Sequence, residues 1–174
     1  QGGIVIQELW DRFDEYVEND DVDAMDNMLT NEWPEGRNRF GEKWTSGLVH
    51  GAVLGVANKH NLLPERARQT LQKHTFTVSD RMLELLEHHG GDLYYVDARH
   101  PQKTCLSFSI QARLSDVTKY LMNRGVLIQL DAVQRLHVLC SACCTADSAV
   151  FSQFSHLMGY GEHAEKFIAI KFLE

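Results

Sequence analysis

The residues with the clearest chemical potential lie in one short stretch towards the carboxyl end. They are His137, Cys140, Cys143 and Cys144, and positions 137, 140 and 144 share one face of a helix. Imidazole and thiolate groups suit zinc. One straight helix spaces such side chains about 5–6 Å apart at Cβ. Since structural zinc is held by four ligands, a fourth ligand from elsewhere, such as His156, would also be needed. Small buried cysteines that let a helix pack tightly explain the same pattern without a metal.

The other histidines form no catalytic pattern. His88 and His89 close a predicted helix, where an imidazole meets the negative end of the helix dipole favourably. His50 and His60 could form a site with Glu65, but nothing in the sequence fixes the distances between these side chains. The sequence contains no G-x-S-x-G, no phosphate-binding loop and no dinucleotide fingerprint. We therefore predict no enzymatic activity, no cofactor and no metal.

Carboxylates crowd the amino-terminal part of the chain. We interpret them as solvated helix faces, and an acidic docking surface for a basic partner is the alternative. The residues concerned are Asp11, Asp14, Glu15, Glu18, Asp20, Asp21, Asp23 and Asp26.

Composition indicates a folded protein with a packed core. The chain has 174 residues, of which 44% are hydrophobic and 24% charged, and its net charge of −7 argues against nucleic acid or an anionic membrane as partner. No apolar run approaches the roughly 18–20 residues that span a bilayer, and the first residues lack a basic signal-peptide region. The four cysteines do not resemble a disulfide framework, so we expect an intracellular compartment, cytoplasmic or nuclear.

The elements that position these residues follow an internal repeat. Gly90 and Gly125 each follow an apolar helical turn and a polar pair, and they are 35 residues apart; Gly159 follows 34 residues later. A fixed period of this length indicates stacked repeats. Each glycine should end a helix, because glycine adopts the left-handed conformation at that position without a steric penalty. After Gly90 and Gly125 we expect short extended stretches that end at Asp97 and Asp131.

Helices are predicted from apolar periodicity and from capping residues. Three helices are predicted in the first half of the chain: residues 8–19, a helix that ends at Leu29 after a cap at Asp21 or Asp23, and residues 45–58 after a cap at Thr45 or Ser46. A further helix follows a cap at Ser79 or Asp80. The remaining predicted helices are residues 106–113, residues 116–124 after a cap at Ser115 or Asp116, residues 133–145, and residues 147–158 after a cap at Asp147 or Ser148. A terminal helix within 160–174 is also expected.

The repeating unit of helix, turn, helix, glycine and loop resembles the ankyrin repeat. Thr104-Cys105-Leu106-Ser107 stands where that family has T-P-L-H, and Leu136-His137 keeps the last two letters. The resemblance implies an all-α, ankyrin-like solenoid forming a single domain over residues 1–174, with repeats at about 5–40, 42–96, 97–130 and 131–160 and a cap at 161–174. The family's mid-loop glycine is absent from both units.

A predicted extra helix from Asn61 to about Lys73, with Pro64 in its first turn, departs furthest from the family. Insertions in solenoids map to one face and are often functional. The insertion therefore leaves open a third interpretation beside a binding module and a zinc domain, namely a helical effector or enzyme with a polar cleft beneath this helix.

The resemblance implies a protein partner held by the loops and the concave face. Aromatic and arginine residues are the usual anchors of such interfaces. The candidate partner-binding residues are Tyr94, Arg99, His100, Gln102, Lys103 and Gln111. Replacing Tyr94 and Arg99 together should weaken partner binding and leave the melting temperature nearly unchanged, whereas Leu106→Ala should loosen the fold by roughly 2–5 kcal/mol.

Overall fold

The structure of the protein is a computed structural model, and it describes residues 2–62 and 77–157. The regular secondary structure of these two ranges is helical, and their one isolated β-bridge joins Arg37 and Lys43. The helices are α1 Gly2–Glu18, α2 Val22–Asn31, α3 Leu48–Leu62, α4 Asp80–His88, α5 Cys105–Gln111, α6 Ser115–Asn123, α7 Val126–Gln129, α8 Ala132–Thr145 and α9 Ser148–Leu157. The all-α prediction is confirmed.

The helices pack in two rows. α1 packs on α3, α3 on α5, and α5 on α8, which forms one row. α2 packs on α4 and α4 on α6, which forms the second. Within pairs, α1 packs on α2, α3 on α4, α5 on α6 and α8 on α9. Each helix pair therefore lies against the next pair along the chain.

One cluster of buried apolar side chains runs through the described residues. At the amino-terminal end the Trp10 ring lies 5.0 Å from both Phe13 and Trp33, edge to face in each case. In the middle, Leu106 of α5 is 0% exposed. Ser109 and Thr118, both buried, hydrogen-bond at 2.8 Å and join α5 to α6. The core therefore fixes the spacing of the helix rows from α1 to α9.

Several predicted helix starts are confirmed, whereas α1 begins at Gly2 and not at Glu8, and the starts predicted for α3 and α6 are wrong. Side chains of Asp21, Ser79 and Asp147 accept backbone N–H groups of the first turns of α2, α4 and α9. The predicted cap at Ser115 or Asp116 is wrong, because Ser115 is already the first residue of α6 and no side chain caps it. The chain enters α6 through Arg113, whose φ of +58° turns it directly from α5.

The third helix differs at both ends from its prediction. It begins at Leu48 and not at Thr45, since residues 44–47 form turns in which the Leu48 N–H bonds the Thr45 carbonyl at 3.2 Å. It continues to Leu62, so Asn61 lies in the last turn of this helix and does not open a new one. The remainder of the predicted insertion, including Pro64, lies outside the described residues.

The glycine prediction holds for both glycines that the structure describes. Gly90 and Gly125 follow α4 and α6 with φ of +100° and +73°. Gly91 is needed for a different reason, because a Cβ there would lie 2.7 Å from the Leu86 carbonyl oxygen. Gly159 and the predicted terminal helix and cap lie outside the described residues.

The extended stretch predicted after Gly125 is wrong. Residues 126–129 form the helical turn α7, with Val126 and Leu127 both buried. Adjacent buried residues fit a helical turn, since a strand would point them to opposite faces. The Arg135 guanidinium donates to the carbonyls of Leu127 and Ile128, which the helix leaves without partners.

Candidate protein-binding surface

Three connectors between successive helix pairs lie beside one another. They are residues 32–47, 89–104 and 124–131, which we call the loop row. The first is joined to the second where the Asp92 N–H donates to the Ser46 carbonyl at 3.0 Å and the Tyr95 hydroxyl to Glu42 at 3.2 Å. Gln134, just beyond the third connector, donates to the Pro101 carbonyl at 3.0 Å. The connectors therefore form one continuous edge of the molecule.

The backbone of the middle connector is hydrogen-bonded within the connector itself. The Tyr94 N–H donates to the Asp92 side chain at 2.9 Å, and the His100 N–H donates to the Asp97 carbonyl at 2.8 Å. Thr104 ends the connector with a capping box, in which its side chain and that of Ser107 exchange hydrogen bonds with the backbone. These hydrogen bonds hold the backbone that carries the exposed side chains of this connector.

The structure places the six candidate residues in different environments. Arg99 and His100 are exposed, whereas Tyr94, Gln102 and Lys103 are half-buried. Tyr94 packs against the core. Gln111 lies apart on α5, where its amide donates to Ser141 of α8 at 3.1 Å. The connector thus brings five of the six together, and the sixth also bridges two helices.

Arg99 is held by a carboxylate of its own connector. Its guanidinium donates to Asp97 Oδ2 at 2.7 Å, and its backbone N–H donates to Asp97 Oδ1 at 2.9 Å. These contacts hold the pKa of the Asp97 carboxyl well below its usual range. Arg99 therefore keeps its charge at the surface in one orientation, with the side chain 83% exposed.

Behind this connector lies a histidine next to a cysteine. Cys105 Sγ is 3.9 Å from His50 Nδ1, and the His50 ring meets Tyr95 and Phe108 edge to face. Burial raises the pKa of the Cys105 thiol to about 12 and lowers the pKa of His50. Both groups are thus neutral near neutral pH. A nucleophilic cysteine needs a thiolate, so this pair is suited to packing and not to catalysis.

The cysteine cluster of α8 does not converge. Cys140 and Cys144 are exposed, Cys143 is half-buried, and all four cysteines of the chain are free thiols. Within residues 2–62 and 77–157, no three His, Cys, Asp or Glu side chains are arranged to hold a metal ion. The described residues therefore offer no support for the zinc interpretation.

A polar cleft of about 500 Å³ lies between α4 and α6. Its walls mix cations such as Lys119 and Arg124 with carboxylates such as Asp80 and Glu84. At its edge Tyr120 and Arg124 both bond to Glu87, which ties α6 to α4. The mixed charges of this cleft do not select one ligand.

The sequence predicts a turn-rich, basic loop at residues 33–41 but not the hairpin that it forms, which we call the 37–43 hairpin and define as residues 37–43 within the first connector. The arginines and aromatics of that region were visible in the sequence, but no repeat motif marked them. The hydrogen bond between Tyr95 and Glu42 places the hairpin beside the middle connector.

Comparisons with known proteins identify no similar protein. No protein-family model matches the chain, and no curated protein and no solved structure matches it either. In the part of the chain that the structure describes, none of the helices combines the length and apolar character needed to cross a bilayer.

Proposed function

We propose that this protein is a non-enzymatic interaction domain, an ankyrin-like solenoid that binds a protein partner along its loop row. The observation behind the proposal is a row of hydrogen-bonded connectors at one edge of packed helix pairs, with Arg99 and His100 exposed on it. Stacked repeats build extended binding surfaces in this way. A rigid surface loses little entropy on binding, which favours affinity.

The arrangement of the helices supports the ankyrin-like part of the proposal. First helices pack on first helices from α1 to α8, and second helices pack on second helices from α2 to α6, with a glycine of positive φ after α4 and after α6. Departures from the family include the short α7 and the length of α3.

We further propose an intracellular location. Cys140 and Cys144 are unpaired and exposed. Exposed free thiols persist best in a reducing compartment.

The test is affinity capture with the full chain and an Arg99→Ala/His100→Ala variant. Both residues are exposed, so the variant should keep the melting temperature of the parent. A specific partner should be enriched at least tenfold less by the variant, as measured by quantitative mass spectrometry. Arg81→Ala is the matched control, because Arg81 is 75% exposed but lies on α4 and pairs with Asp20. If every captured protein is retained equally by all three chains, Arg99 and His100 of the middle connector do not bind the partner.

A further inference from the structure

The 37–43 hairpin has a tightly specified turn. The Asn38 N–H donates to the Glu42 carbonyl at 2.8 Å, and Arg39, Phe40 and Gly41 form the tip. Gly41 has a φ of +79°, as expected for the last residue of a three-residue hairpin loop. The Asn38 side chain accepts the N–H groups of Phe40 and Glu42 at 2.9 and 3.1 Å. Backbone and side chain together hold the tip in one shape.

The base of the hairpin is anchored in the core. Trp33, only 7% exposed, donates from its indole nitrogen to the Trp44 carbonyl at 3.1 Å. The Tyr95 hydroxyl holds Glu42 from the neighbouring connector. The tip therefore projects from a fixed support.

The tip exposes an aromatic ring beside cationic groups. Phe40 is 73% exposed, and the Arg39 guanidinium carbon lies 4.7 Å from the centre of its ring. Arg37 and Lys43 flank the tip, and Arg37 also donates to the Gly41 carbonyl at 2.6 Å. No carboxylate of the described residues pairs with Arg39. Arginine and aromatic side chains on a rigid support are characteristic of binding hot spots.

We propose that the 37–43 hairpin binds an acidic peptide segment that carries an aromatic or large apolar side chain. The apolar side chain packs on the exposed ring of Phe40, and flanking carboxylates pair with Arg39 and Lys43. This inference rests on the proposed function, because it takes the protein to be an interaction domain and identifies the chemistry of one partner. The hairpin adjoins the middle connector, so one peptide can follow both.

The distribution of charge favours a short acidic peptide over a long polyanion. The first 35 residues contain eleven carboxylates and one arginine, whereas the remaining 139 contain thirteen carboxylates and sixteen lysines or arginines. Their formal charges are therefore −10 and +3. A nucleic acid or anionic bilayer that reached the hairpin would also meet the acidic helices α1 and α2 nearby, since Trp33 of the hairpin base contacts Trp10 of α1. A peptide is small enough to avoid them.

The test uses an array of nonapeptides in which a central tryptophan, phenylalanine or leucine is flanked by aspartate and glutamate. Matched peptides carry lysine flanks or a central serine. The full chain is compared with Phe40→Ala, Arg39→Gln and, as control, Arg81→Gln. We expect acidic peptides with an apolar centre to be retained, with at least tenfold weaker binding by Phe40→Ala and Arg39→Gln and unchanged binding by Arg81→Gln. Fluorescence anisotropy of the best peptide gives the dissociation constants, which should rise with salt.

Three results would overturn the inference. The first is retention of no acidic peptide, and the second is equal binding of lysine-flanked or serine-centred peptides. The third is binding to phosphatidylserine vesicles, lost in Arg39→Gln, without binding to any peptide. The Arg99→Ala/His100→Ala variant separates the two proposals. If peptide binding survives Phe40→Ala but is lost in that variant, the middle connector binds the peptide and the hairpin does not.

Discussion

His50 shows how the surroundings of a residue decide its chemistry. It is 8% exposed on α3, between Tyr95, Phe108 and Cys105. Burial lowers its pKa, and this outweighs the opposing effects of a hydrogen bond with the Tyr95 backbone and the charge of Asp97. Its neutral form is the one that the fold stabilises.

This environment predicts a dependence of stability on pH. The pKa of His50 is lower in the folded than in the unfolded chain, so the unfolded chain binds the proton first as pH falls. The stability that His50 contributes is full above its unfolded pKa and is lost as pH falls below it. In His50→Gln, the decline in unfolding free energy between about pH 7 and pH 5 should be smaller than in the parent. Urea titrations at several pH values measure this, and equal slopes for both proteins would contradict it.

The sequence predicted some helix-capping contacts correctly but did not predict contacts within loops or between distant residues. Asp21, Ser79 and Asp147 are caps because a side-chain oxygen before an apolar run can act locally. The same reasoning failed at Ser115, where the positive φ of Arg113 brings the chain into the helix one residue earlier. The pairing of Arg99 with Asp97 and the support of Glu42 by Tyr95 depend on loop conformation or on distant residues, which no local pattern records.

At the scale of elements, α5 is the helix on which the stacking depends. It packs on α3, α6 and α8, although it is only seven residues long. Short helices are marginal on their own, so tertiary packing must stabilise it. The sequence predicted this helix from its threonine and apolar run. It did not predict α7, because four residues are too few to show a helical period.

The packing of α5 predicts a large effect for one substitution. Leu106→Ala removes a side chain that is 0% exposed and should lower the unfolding free energy by about 2–5 kcal/mol. Leu136→Ala on α8 is the matched control, since Leu136 is 60% exposed and its loss should change stability by no more than about 0.5 kcal/mol. Equal losses in urea denaturation would show that α5 does not lie at the centre of the core.

At the scale of the whole molecule, the helix pairs share one continuous core from α1 to α9. Cys105 lies inside it, whereas Cys140 and Cys144 lie at the surface. The reactivity of Cys105 compared with that of Cys140 and Cys144 can therefore report on global unfolding. The sequence predicted the helical character of the chain, but it could not predict the edge along which the connectors meet.

We expect the thiols to react with iodoacetamide in two classes. Cys140 and Cys144 should be modified in the native protein, whereas Cys105 is 0% exposed and has a pKa raised to about 12. Its modification should require unfolding, with an opening free energy equal to that from urea denaturation. Mass spectrometry after timed labelling distinguishes the sites. Labelling of Cys105 at the rate of Cys140 in native buffer would indicate a loosely packed core.

The position of the tryptophans in the fold, with Trp10 and Trp33 in edge-to-face contact, decides what tryptophan fluorescence can report. The chain contains three tryptophans, and the third is Trp44 at the base of the hairpin, so all three indoles lie in the first 44 residues. Tryptophan emission, excited at wavelengths that tyrosine scarcely absorbs, therefore reports only on α1 and the first connector. Opening that starts at α8 and α9 would be silent in fluorescence while circular dichroism already lost helical amplitude.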